Sequence, residues 1–200
     1  MERRAFEIKE LRVERVEGRG PKIGGYAAMF NSESVDLGGF TERIAQGAFS
    51  TTLAGSGDIM ALAQHNPEKP LASRAAGTLA IVEDERGLAF EAGPLPDTTH
   101  ARDVVADIEA GNIKGMSFAF NVPKGGDRWA KVGPGQWLRT LLDLRLIEVS
   151  PVTFPAYPAA SVGLRAQDGA AEALAGLARA KAADEARQRR LRLLELEARS

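Results

Sequence analysis

The chain has 200 residues, 44% of them hydrophobic, with 26 basic against 27 acidic side chains and a net charge of -1. That is enough for one domain with a real core and room for an appendage, while balanced charge gives no global field to draw in nucleic acid. The absence of cysteine removes a thiol nucleophile, a thiolate metal site and any disulfide, and two histidines fall short of the three or four side chains that zinc usually takes.

No apolar run reaches the ~18 residues of a membrane span, and Met1-Glu2-Arg3-Arg4-Ala5-Phe6 has no signal-like apolar core. The composition therefore reads as a soluble cytosolic protein without cofactor or metal.

In chain order, residues 1–30 read as a strand pair. Phe6, Ile8, Leu11, Val13 and Val16 alternate with charges, Gly18-Arg19-Gly20-Pro21 marks a turn, and Ile23–Phe30 returns. Residues 31–39 are loop. Phe40–Leu53 mixes helical spacing with Gly47, which predicts a short or broken helix. Ile59–Leu62 is a brief apolar strand that delivers His65 to a loop ended by Pro67. Residues 77–82 and 87–92 form a hairpin across the acidic turn 83–86. Asp97-Thr98-Thr99 offers capping oxygens to a helix whose apolar positions, Ala101, Val104, Val105 and Ile108, fall on one face before Gly111. Residues 124–135 read as a turn region, and Trp137–Val149 as one long strand. Pro151, Pro155 and Pro158 make a rigid exit. From Asp168 the chain turns to Ala, Leu, Glu, Arg and Lys, which predicts a charged helical tail with no sustained coiled-coil seam. The expected organisation is an α+β, mostly antiparallel domain over 1–167, its sheet closing as a β-barrel flanked by short helices, followed by the tail over 168–200.

The stretch Asn112–Val122 organises the chemistry. Met116, Phe118, Phe120 and Val122 alternate with smaller residues around a single hydroxyl, Ser117. With His65 upstream and Glu148 downstream, the chain holds the parts of a serine hydrolase in the order His, Ser, acid. Gly115-Met116-Ser117-Phe118-Ala119 nearly fits the G-x-S-x-G elbow. That elbow, however, leads into a helix and needs a histidine after the serine, and neither condition holds here. Asp97-Thr98-Thr99 is close to an aspartic-protease loop but lacks its glycine and reads as a helix cap. By simple strand parity Glu148 shares a face with Leu142, Leu144 and Leu146. A carboxylate on an apolar face needs a partner; a histidine and a structural arginine both remain open.

Several segments taken together resemble the prohead protease family of tailed bacteriophages, the procapsid maturation proteases related to herpesvirus assemblin. They are Gly25-Tyr26-Ala27-Ala28-Met29-Phe30-Asn31, the Glu42, Ile44 and Gly47-Ala48-Phe49 segment, His65-Asn66, Gly87-Leu88, Gly115–Phe120 and Glu148–Pro158. The resemblance runs through most of 24–164 and excludes the tail.

It implies a serine endopeptidase on an assemblin-like barrel, with Ser117 as nucleophile and His65 as general base. Assemblin takes a second histidine, after the serine, as third member. No histidine follows Ser117 and His100 precedes it, so Glu148 is expected in that role. The implied partners are the phage major capsid protein or scaffold as substrate, and the chain itself, inside the assembling prohead in the host cytoplasm. A homo-oligomer stays open, and neither nucleic acid nor membrane is expected. Two other readings fit the same residues: a catalytically silent scaffolding protein on the same barrel, and a non-proteolytic hydrolase or ligand-binding barrel.

Overall fold

The computed structural model of the chain describes residues 1–7, 11–15, 18 and 20–154. In order come β1 (Glu2–Glu7), β2 (Arg12–Glu14), β3 (Lys22–Met29), β4 (Phe40–Ile44), the short helix α1 (Ser50–Ala54), β5 (Met60–Leu62) and a 3-10 turn (Ala63–His65). They are followed by β6 (Pro70–Ser73), β7 (Leu79–Glu83), β8 (Gly87–Ala92), α2 (Thr99–Glu109), β9 (Gly115–Asn121), β10 (Asp127–Gly133), β11 (Gln136–Leu141) and β12 (Arg145–Val152). The class is α+β and mostly antiparallel; the parallel pairs are β11 with β4 and β12 with β5.

The strands do not close into the single barrel expected from the sequence. Among the described residues they sort into three sheets, ordered β1-β9-β12-β5-β6, β10-β11-β4 and β2-β3-β8-β7. The helical tail expected over 168–200 lies outside the described residues.

Local signals that depend on adjacent residues hold. β7 and β8 form the expected hairpin, and Thr98 caps α2 by accepting the Ala101 N–H. Ala101, Val104 and Val105 of α2 are buried. Gly87 allows β8 to pass close to β3, since a Cβ there would stand 2.0 Å from the Ala28 carbonyl oxygen.

Expectations that depended on distant pairing are corrected. β2 does pair with β3, but β1 leaves that group and lies antiparallel along β9, Ala5 opposite Ser117. Phe40–Ile44 is a strand rather than the start of a helix, because β11 offers it a parallel partner. Part of the supposed turn region 124–135 is strand β10, which pairs with β11.

The long strand expected over 137–149 is broken between Leu141 and Arg145. Leu142 and Asp143 both donate their N–H to the Gly126 carbonyl, at 2.7 and 2.9 Å, and Leu144 donates to Ala48 at 2.8 Å. These bonds divert the chain from one sheet to the next.

β9 is buried from Gly115 to Phe120. Phe118 meets Phe49 edge-on at 5.6 Å and stacks against Phe120 at 5.1 Å, and Met116, Phe118 and Phe120 all point into the core. Such aromatic packing holds the strand in one register.

A buried ionic network ties β1 to the sheet of β4, β10 and β11. Arg4 grips Glu42 through two nitrogens, at 2.7 and 2.9 Å, and also reaches Glu2 at 2.8 Å. Arg139 bonds Glu2 twice, at 2.7 and 3.0 Å, Glu42 at 3.1 Å and Asp127 at 2.7 Å. Burial alone would raise the Glu2 carboxyl, but hydrogen bonds and charge from Arg139, joined by Arg4, outweigh it and hold Glu2 below its ordinary value. The Arg139 guanidinium is likewise held charged by Glu2, Glu42 and Asp127 against its own desolvation.

Removing one member of such a network leaves uncompensated buried charge. Glu42→Ala is therefore expected to cost about 3–5 kcal/mol in chemical denaturation. Because the folded-state pKa of Glu2 is depressed, its contribution is present above the ordinary value of 4.5 and is lost as pH falls below it. Denaturation midpoints measured from neutral pH down to acid should fall less steeply in Glu2→Gln than in the unmodified chain.

Candidate active site

The site is assembled where β12 runs between β9 and β5. Opposite residues of an antiparallel pair project to the same side, so the register decides which side chains meet. Leu146 faces Phe120 and Val149 faces Phe118, on the core side; Glu148 faces Ala119 and Ser150 faces Ser117, on the other. The parity expectation for Glu148 fails for a definite reason. The register shifts between Leu146 and Glu148, so β12 carries one extra residue there. That bulge turns Glu148 to the side opposite Leu146. Glu148 is still 4% exposed, and its need for a partner stands.

The partner is His65. Its Nδ1 lies 2.6 Å from Glu148 Oε1, with side-chain exposures of 16% and 6%. A carboxylate only accepts, so Nδ1 carries the proton and Nε2 is left with its lone pair. Among the described residues Nε2 has no hydrogen-bond partner. The arginine alternative belongs to another carboxylate, Glu42.

The loop that presents His65 is braced and strained. β5 ends at Leu62; Gln64 and His65 then take φ of 54° and 60°, left-handed values that cost a non-glycine residue about 1–2 kcal/mol each. Pro67 favours an extended Asn66 before it, as observed. Asn66 accepts the Glu68 N–H on its side chain at 2.9 Å, and its own N–H donates to Ala63 at 2.9 Å. Gln64 clamps the loop to the end of β12, donating to Thr153 Oγ1 at 2.6 Å and accepting the Thr153 N–H at 3.2 Å.

Ser117 stands on β9 directly across from Ser150, whose Oγ accepts the His65 N–H at 3.2 Å. Facing residues on paired strands lie roughly 5 Å apart at Cα, so Ser117 is one strand spacing from Ser150, while the His65 loop leaves β5 on the far side of β12. The Ser117 hydroxyl does not bond the imidazole. It donates instead to the main-chain carbonyl of Arg4 at 2.9 Å, and the residue is buried. The structure thus joins His65 directly to Glu148 and brings Ser117 alongside through Ser150.

The other histidine and the other acids are elsewhere. A ring nitrogen of His100 at the start of α2 contacts Pro70 O at 2.9 Å and Thr98 Oγ1 at 3.2 Å. Asp143 sits in the break before β12, with one carboxylate oxygen buried and, among the described residues, without a hydrogen-bond partner. Gly125 and Gly126 lie beyond Asn121, the far end of β9, roughly 13 Å along the strand from Ser117; they are not placed to supply N–H groups to it.

Sequence reasoning passed over Ser150. Its hydroxyl donates to Glu148 Oε2 while it accepts the His65 N–H, and the residue is fully buried. The legible signal was the Glu-x-Ser spacing, which puts both side chains on one face of a strand.

Comparison with known proteins adds to this geometry. Residues 9–173 match the family model described as caudovirus prohead serine protease. The chain is 30% identical over 154 residues to the prohead protease of Enterobacteria phage HK97, an alignment covering 76% of this chain and 64% of that relative. The aligned part thus falls short of the relative's full length. No solved structure matches the chain significantly.

The paired carboxylate should select one tautomer of His65. Nitrogen-15 NMR at alkaline pH is expected to show Nδ1 protonated and Nε2 as the bare nitrogen, with the two forms mixing in Glu148→Gln.

Proposed function

Since the chain belongs to the caudovirus prohead serine protease family, we propose that it is a serine endopeptidase that cleaves capsid or scaffold protein, and itself, inside the assembling prohead. The observation that carries this reading is the hydrogen bond between His65 Nδ1 and Glu148 Oε1, beside a strand bearing Ser117. A buried carboxylate that fixes the imidazole tautomer and leaves Nε2 as a base is what a serine nucleophile requires.

In this mechanism Ser117 is the nucleophile, His65 the general base and Glu148 the orienting acid. The Ser117 hydroxyl first leaves the Arg4 carbonyl by rotation about χ1, since catalytic hydrogen bonds often form only with substrate in place. Its oxygen attacks the scissile carbonyl carbon while His65 Nε2 takes the proton, and Glu148 stabilises the imidazolium. Nε2 returns that proton to the leaving amine, giving an acyl-serine. Water, deprotonated by the same nitrogen, then releases the carboxylic acid product and restores Ser117. Neither metal nor cofactor takes part in this scheme.

The substrate proposal rests on family membership and on the relative's name. The capsid protein, or a scaffold segment joined to it, supplies the extended chain that is cut. The organisation proposed for the whole chain keeps the protease domain at 1–167 and gives the charged segment 168–200 the task of recruiting the enzyme to the shell, where it is trimmed in turn.

Three results test these assignments. Ser117→Ala and His65→Ala, each co-expressed with the neighbouring capsid protein, should leave it uncut, and the double variant should be no worse than either single one; N-terminal mapping of the capsid protein reads the outcome. Glu148→Gln should lower turnover by up to ~10⁴-fold with the fold intact, as when a triad acid becomes an amide, whereas Asp143→Asn and His100→Ala should cut at near the normal rate. A chain lacking residues 170–200 should still cleave a peptide in solution but enter proheads less, measured by the protease content of purified particles.

A further inference from the structure

We propose that Ser150 is a positioning residue, using one hydroxyl to hold the base and the acid of the site in register. The proposal rests on the roles given above to His65 and Glu148 and adds a group that those roles leave out.

Ser150 is fully buried, and both bonds that its hydroxyl makes are to the site. Its proton goes to Glu148 Oε2, and its lone pair takes the main-chain N–H of His65 at 3.2 Å. Glu148 Oε1 meets Nδ1 of the same histidine at 2.6 Å. A closed circuit results, running from the His65 backbone to the Ser150 hydroxyl, to the carboxylate and back to the His65 ring. Each element constrains a different freedom. The two bonds to Glu148 stop rotation of the carboxylate about its terminal bond. The bond to the His65 N–H pins a backbone held at φ 60°, a conformation that would otherwise relax.

Without the hydroxyl, the His65 N–H and one carboxylate oxygen lose their partners where little water can replace them. The imidazole would then keep its acid but lose its aim at Ser117. Ser150 is not itself the nucleophile in this arrangement, because its proton is committed to Glu148 and its oxygen already takes the His65 N–H.

The test uses the full chain and two readouts that need no natural substrate. One is the rate at which a fluorophosphonate probe labels Ser117. The other is the downfield proton resonance of the Nδ1–H bonded to Glu148. Ser150→Ala is expected to slow labelling by ~10–100-fold, by analogy with the loss of a group that orients a metal-ligating side chain, and to shift or broaden the resonance while melting stays cooperative. Ser150→Thr, which keeps the hydroxyl, should restore both. Labelling of Ser150→Ala at the unmodified rate overturns the proposal, as does a folded Ser150→Thr that labels as slowly as the alanine variant. Should Ser150→Thr fail to fold, the alanine variant decides alone. Failure of the underlying roles would look different: the unmodified chain would not label at Ser117, or His65→Ala would label just as fast. The resonance then decides by itself: an unchanged position and width in Ser150→Ala count against Ser150, and a shift or broadening counts for it.

Discussion

Between Leu146 and Glu148, β12 carries one residue more than the stretch of β9 it pairs with, and the geometry of the site follows from that insertion. Without it, strict alternation would put Glu148 on the side of Leu146, among Phe118 and Phe120 and away from His65. With it, Leu146 and Val149 both pack inward while Glu148 and Ser150 turn together to the His65 side. A β-bulge next to a functional centre is a common way of re-aiming one side chain without giving up a ladder.

The histidine loop shows the complementary constraint. Two successive left-handed residues are unfavourable in an isolated chain, so this conformation persists only because the surroundings over-determine it. The clamp between Gln64 and Thr153, the turn made by Asn66 and Pro67, and the contacts of His65 with Ser150 and Glu148 together supply that determination. Apart from the Asn66 turn, each of these contacts ends on β12 or just after it, so the strand that carries the acid also locates the base. Base and acid are therefore located relative to one another more tightly than either is to Ser117, whose hydroxyl bonds to β1 instead.

β1 constrains the site from the other edge of β9. It covers β9 through a six-residue antiparallel register and is anchored by Arg4 in the network with Glu2, Glu42 and Arg139. A buried network of this kind contributes little net stability compared with apolar packing, but breaking it is costly. It secures the position of the strand against β9, and hence the depth at which Ser117 lies.

Much of this was legible in the order of the residues. The β7–β8 hairpin and the α2 cap depend on neighbours in sequence, so turn residues and apolar spacing reveal them directly. Ser117, His65 and Glu148 stood out because a hydroxyl, an imidazole and a carboxylate each interrupt an apolar stretch, and resemblance to a family gave them roles. What only the tertiary structure decided is how distant segments pair. Adjacent sequence cannot say that β1 lies along β9 rather than β3, that Phe40–Ile44 becomes a strand beside β11, or that the chain breaks at Leu142 and Asp143 because both amides turn to Gly126. Nor can it locate a bulge, since one extra residue leaves composition and periodicity almost unchanged while reversing the side to which every later residue points. Ser150 was passed over for that reason: its hydroxyl matters only once Glu148 and His65 have been brought to the same face.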